Sequence, residues 1–161
     1  MVSRGELYDA IEESHDYEAD AERLHALIQD RFPGAKTLLD VACGTGRHLP
    51  FLASHYETEG VDVDPDYLEV ARRRVPDAAF HERDMAAFDL GRQYDVVLCM
   101  GSAIGYVRTR PRLQQTIATL AHHLVPRGLL IIEPFVPPRA GPSNLGAGFS
   151  SGPRIRLRGP R

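Results

Sequence analysis

Leu38–His48, LLDVACGTGRH, is an apolar run that closes on two glycines and is followed at once by residues at helical spacing. Thr37–Val41 reads as a strand, Cys43-Gly44-Thr45-Gly46 as a tight turn, and Leu49, Phe51 and Leu52 as one face of a helix ending near Tyr56. Strand, glycine turn and helix form the opening unit of an open α/β sheet, whose ligands sit outside the carboxyl ends of the strands. Gly44 and Gly46 can take positive φ at no steric cost, and Ala42 is the smallest residue that keeps strand geometry, so a ligand can approach the backbone here. A tight turn with no ligand also explains a lone GxG; the residues around it have to decide.

Working outward, Leu24, Leu27 and Ile28 recur at helical spacing within Asp16–Arg31, with Asp16 as N-cap and Pro33-Gly34 as the stop. Downstream, Glu59–Val63 is a second strand, and Asp64-Pro65 caps and starts a helix through Val75. Ala79–His81 is a weak third strand, Tyr94–Met100 a strong fourth and Arg112–Leu124 an amphipathic helix. After the turn Pro126-Arg127-Gly128, Leu129–Phe135 makes a fifth strand. The alternation predicts an α/β fold: a doubly wound, Rossmann-like, mostly parallel sheet with helices on both faces. Residues 1–138 would form this domain. In residues 139–161, Gly, Pro and Ser make 11 of 23 positions without apolar periodicity, so that tail is expected to be disordered.

Composition narrows the function classes. The net charge is -3, yet the tail carries five arginines and no acid, which leaves -8 on the first 138 residues. An acidic body has no long-range attraction for a phosphate backbone, which disfavours nucleic acid as the main substrate. No apolar run, Leu129–Ile132 included, is long enough to span a bilayer, and Met1–Glu13 lacks the apolar segment of a signal peptide; a cytoplasmic location is the expectation. Cys43 and Cys99 lack CxxC spacing and read as reduced thiols. His122 and His123 would point roughly 100° apart on a helix, so no metal site is expected from them; they read as surface and boundary residues.

Three acidic residues give the turn its chemistry. A dinucleotide fingerprint needs a third glycine where Leu49 stands, and a phosphate-cradling loop needs Lys then Ser or Thr where Arg47-His48 stand. Asp40 would repel a phosphate, whereas it suits the ammonium or sulfonium of a cofactor that carries an amino acid. Asp62 ends the second strand, about 16–20 residues past the turn, where a carboxylate can accept both ribose hydroxyls. It could also cap the next helix, although Asp64 is better placed for that. Asp84-Met85 follows the third strand, where Asp84 can accept from an adenine amino group and Met85 can cover the ring edge; alone, Asp84 also reads as a loop cap.

LLDVACGTGRH, GVDVDPDYLEVARRR (Gly60–Arg74), RDM (Arg83–Met85), YDVVLCMGSAIGYV (Tyr94–Val107) and LVPRGLLIIEPF (Leu124–Phe135) together resemble the motifs of class I S-adenosylmethionine-dependent methyltransferases. Through Tyr8-Asp9, Asp16-Tyr17, DVACGTG and the CMxSxIGY segment, the chain is most similar to the amino-sugar N,N-dimethyltransferases of macrolide pathways. The resemblance implies S-adenosylmethionine as cofactor, held by Asp40, Ala42, Gly44, Gly46, Asp62, Val63, Asp84 and Met85, with Tyr17 and Met100 also in contact. It implies a small-molecule acceptor, in the narrower form a nucleotide-linked amino sugar, beside Gly101–Tyr106. Tyr106 and Glu133 are the candidates to orient the acceptor or relay its proton. The family closes its sheet with a sixth and a seventh strand that the sequence after Phe135 does not resemble. The sheet is therefore expected to be incomplete at its C-terminal edge, as in a fragment or a chain whose reading frame changed after Pro138, with a homodimer as one cover for the fifth strand. A cofactor-binding but catalytically incomplete protein and an NAD-dependent oxidoreductase are the alternatives.

Overall fold

The computed structural model describes residues 2–134. In chain order the elements are α1 (Arg4–Ile11), α2 (Tyr17–Arg31), β1 (Thr37–Val41), α3 (Leu49–Leu52), β2 (Glu57–Asp62), α4 (Pro65–Arg74), β3 (Ala79–Glu82), β4 (Tyr94–Cys99), α5 (Arg110–His122) and β5 (Leu124–Ile132), with a 3-10 helix at Ala103–Val107. The strands form one sheet in the order β3-β2-β1-β4-β5, and every pairing is parallel. After β3 the chain crosses to the other side of β1, so the order reverses between β1 and β4, where a doubly wound sheet opens its ligand crevice.

Alternation along the strands builds two apolar layers. Leu38, Val96 and Leu98 pack with Leu24 and Ile28 of α2 and with Leu49 and Leu52 of α3. Leu39, Val41 and Val97 pack with Ile104 and with Leu120 of α5. Helices therefore cover both faces, as the alternation of elements predicts.

Several local expectations give way. The first helix, α1, has too little apolar periodicity to be expected, but its start is encoded: Ser3 Oγ accepts from the Glu6 amide at 3.2 Å and the Glu6 carboxylate accepts from the Ser3 amide at 2.9 Å, a reciprocal cap. Helix α3 is one turn long and does not reach Tyr56, because Phe51 points outward and Ser54 Oγ donates to the Phe51 carbonyl at 2.7 Å, taking an oxygen the next turn would use. The turn Pro126-Arg127-Gly128 lies inside β5 as a bulge: Tyr94 faces Leu124 and Val96 already faces Leu129, with Arg127 at φ 70°. His123 is buried, not a boundary residue; its Nδ1 lies 2.8 Å from the Thr119 carbonyl and its Nε2 accepts from the Leu90 amide at 3.1 Å. Cys43 and Cys99 are buried free thiols.

Among the described residues, β5 has no strand on its outer side and no helix is long and apolar enough to cross a membrane. Phe135 and the tail 139–161 lie outside the described residues.

Candidate functional site

The carboxyl ends of β1 and β2 meet at the glycine turn. Ala42 does not keep strand geometry: it has φ 59°, in the left-handed region that costs an L-residue energy, and Gly44 and Gly46 follow at φ 57° and 71°. The two glycines differ in what they make room for. A Cβ on Gly46 would fall 3.2 Å from the Ala71 Cβ of α4, whereas a Cβ on Gly44 would meet nothing within 4 Å. Gly46 therefore lets the turn pack on α4, and Gly44 keeps open the side from which a ligand can approach the backbone.

Beneath the turn, Asp40 is 2% exposed and its Oδ1 has no hydrogen-bond partner. Burial, reinforced by the charge of Asp62, pushes its carboxyl up to about 7. Asp62 Oδ2 accepts from the Gly44 amide at 2.8 Å and Oδ1 from the Asp64 amide at 2.9 Å, so this carboxylate ties β2 to the turn. Burial raises its pKa, and those amides oppose the rise. Asp64, as the spacing predicts, is the N-cap of α4, accepting from the Asp66 amide at 3.0 Å. Asp84 accepts from the Ala86 amide at 2.9 Å and pairs with the guanidinium of Arg112; the amide first, and then Arg112, hold its pKa low.

A cleft of about 240 Å³ brings Ala42, Asp62, Val63, Asp84, Met85 and Tyr106 together. Arg83, Val107 and Arg112 complete its lining. Arg112 escaped the sequence reading because nothing in its local pattern points it at a residue 28 positions away. The other candidates stand elsewhere. Met100 packs in the apolar layer under α2 and α3. Tyr17 lines a second, open cleft with Arg47 and Phe51, its ring under the Arg47 guanidinium at 4.6 Å. Tyr106 is 75% exposed at the rim, and Glu133 accepts from the Gly101 amide at 2.7 Å.

One neighbour of the turn enters the sequence reading only as part of the Tyr8-Asp9 motif, with no role at the turn assigned to it. Asp9 of α1 reaches the turn, accepting from Thr45 Oγ1 at 2.6 Å and pairing with Arg74. No cluster of His, Cys, Asp or Glu that could hold a metal occurs among the described residues.

Set beside known proteins, the chain is 43% identical over 133 residues to a dTDP-3-amino-3,6-dideoxy-alpha-D-glucopyranose N,N-dimethyltransferase of Streptomyces fradiae, an alignment covering 81% of this chain and 52% of the relative. Among solved structures, DesVI of Streptomyces venezuelae superposes with a TM-score of 0.79 at 39% identity, over 84% of this chain and 58% of that one. CalS10 from Micromonospora echinaspora, an amino pentose methyltransferase solved with S-adenosylmethionine bound, gives 0.78 at 34% identity, over 81% and 56%. The chain thus spans little more than half the length of the relatives it matches. The methyltransferase domain profile matches residues 38–128, the stretch from the glycine turn through the bulge of β5, and the chain belongs to that family.

Proposed function

We propose that this chain binds S-adenosylmethionine at the β1–β2 turn and serves in N-methylation of a nucleotide-linked amino sugar. The observation that carries the cofactor reading is the buried Asp40 carboxylate with its unpartnered Oδ1. Such a group costs several kcal/mol unless a charge or donor meets it. A pyrophosphate would worsen that cost; the ammonium and sulfonium of S-adenosylmethionine relieve it. Gly44 leaves room for close approach, Asp62 and Val63 stand where the ribose would lie, and Asp84 and Met85 lie across the same cleft for the adenine. When bound, S-adenosylmethionine supplies an electrophilic methyl group. The chain's own part is to hold the acceptor amine in line and accept its proton, for which Tyr106 and Glu133 are the candidates. The oxidoreductase reading fails on Leu49, which fills the place of the third glycine with a buried side chain.

The sugar substrate rests on the names of the relatives and on the identity shared with them. A second reading, in which these residues build only the cofactor half of a site, is favoured by the exposure of Tyr106 and by the existing bond of Glu133 to Gly101. Calorimetric titration with S-adenosylhomocysteine, S-adenosylmethionine and NAD tests the cofactor: the first two bind and NAD does not. Turnover of a dTDP-amino sugar, followed by mass spectrometry, then separates the two readings. Binding of NAD in preference to S-adenosylhomocysteine would overturn both.

A further inference from the structure

Helix α1 buries little apolar surface, its main apolar contact being the half-buried Tyr8 ring against Tyr67 of α4, 5.2 Å between centroids. Gly5 is its one buried residue, while Leu7 is 57% and Ile11 69% exposed. An isolated helix of eight residues is not stable in water, so its contacts with the body have to fix it. One end packs on α4 at Gly5, where a Cβ would fall 2.7 Å from Val70 Cγ2 and 2.8 Å from the Asp66 carbonyl. The other end is fastened to the glycine turn by Asp9. The Asp9 carboxylate accepts from Thr45 Oγ1 at 2.6 Å and from the Arg74 guanidinium, and its carbonyl accepts from Arg47 Nη1 at 2.8 Å. Arg74 also donates to the Thr45 carbonyl. Thr45 stands between the two glycines, and the neighbouring Gly44 amide donates to Asp62. A continuous chain of bonds therefore runs from α1 through the turn to the carboxylate placed for the ribose.

We propose that Asp9 is a positioning residue for the cofactor site: it latches α1 onto the glycine turn and holds the turn in its binding conformation. Occupancy of the turn and docking of α1 then favour each other, as two equilibria that share one set of bonds must. The inference rests on the cofactor reading above. Its test is calorimetry with S-adenosylhomocysteine on the whole chain, combined with hydrogen exchange at the amides of Leu7–Glu12. In the parent chain the ligand slows exchange in α1. Asp9→Ala lowers affinity by about tenfold to a hundredfold and abolishes that ligand-dependent slowing, while β1 and β4 stay protected. Asp9→Asn recovers part of the affinity, because its amide oxygen can still accept from Thr45. Should Asp9→Ala fail to fold, Thr45→Val removes the hydroxyl at constant shape and carries the same expectation. Parent-like affinity and parent-like slowing in either variant overturn the latch and leave the cofactor reading standing. Absence of any binding by the parent chain overturns the cofactor reading and the latch with it.

Discussion

The Gly44 amide donates to Asp62 Oδ2 at 2.8 Å, joining the turn after β1 to the end of β2. The same carboxylate accepts from Asp64 through its other oxygen, so the residue proposed to hold the ribose also shapes the turn before any ligand arrives. Asp62→Ala should therefore act twice. Two part-buried amides lose their acceptor, which lowers stability by about 1–2 kcal/mol, and affinity for S-adenosylhomocysteine falls by about 2–3 kcal/mol. Thermal unfolding and calorimetry on the same sample read both effects. Unchanged ligand affinity in a destabilised variant would assign Asp62 a structural role alone.

Asp40 makes stability depend on pH in a direction opposite to that of a paired surface carboxylate. Its pKa is raised by burial from 3.8 to about 7, so the folded state holds a proton that the unfolded state has lost. That contribution is fully present below pH 3.8 and is lost as pH rises through about 7. Asp40→Asn should abolish this loss and leave the ligand-free protein more stable than the parent at pH 8, by on the order of a few kcal/mol. A cationic ligand group at Asp40 should lower its pKa again and release a proton. Titrations at pH 6 in two buffers of different ionisation enthalpy measure that release, and equal heats in both would refute it.

Ala42 should tolerate glycine better than it tolerates itself. Its φ of 59° costs an L-residue roughly 1–2 kcal/mol, partly offset by the greater freedom of glycine in the unfolded chain. Ala42→Gly is expected to gain up to about 1 kcal/mol in chemical denaturation, and Ala42→Val to lose more than that through its β-branch. A glycine variant less stable than the parent would mean that the Ala42 methyl contributes packing worth more than the strain.

What the sequence revealed and what it hid divide along physical lines. Thr37–Val41, the Asp64-Pro65 start of α4 and the Asp16 cap were legible because each is encoded by neighbours within a few residues. Asp62, Val63, Asp84 and Met85 could be found together because strand ends in a parallel sheet are brought to one edge by topology. The hidden parts depend on contacts distant in sequence. Asp9 meets Thr45 across 36 residues on a helix with no apolar stripe, and only the Ser3–Glu6 cap announced that helix. Ala42 was misjudged for a different reason: strand propensity says nothing about the φ required where the chain leaves the sheet. Met100, which the resemblance puts at the ligand, continues the alternation of β4 one residue beyond the strand and packs in the layer under α2 and α3.

The pair between Arg112 and Asp84 makes a prediction about competition. Arg112 projects from the first turn of α5 to the carboxylate expected to accept from the adenine amino group, so ligand and guanidinium address the same oxygens. The side chains are 46% and 43% exposed. Solvent screening therefore limits the pair to about 0–1 kcal/mol. Removing Arg112 should cost little stability and should free Asp84 for the ligand. Arg112→Ala is thus expected to tighten S-adenosylhomocysteine binding by up to about fivefold, and Asp84→Ala to weaken it by about tenfold. In the Asp84→Ala background the arginine should cease to matter, a coupling that a double-mutant cycle reads directly. Added salt should favour binding to the parent more than to Arg112→Ala, because it screens the pair that the ligand must displace. If Arg112→Ala instead weakens binding by more than tenfold, the guanidinium contacts the ligand itself, and Asp84 serves to aim it.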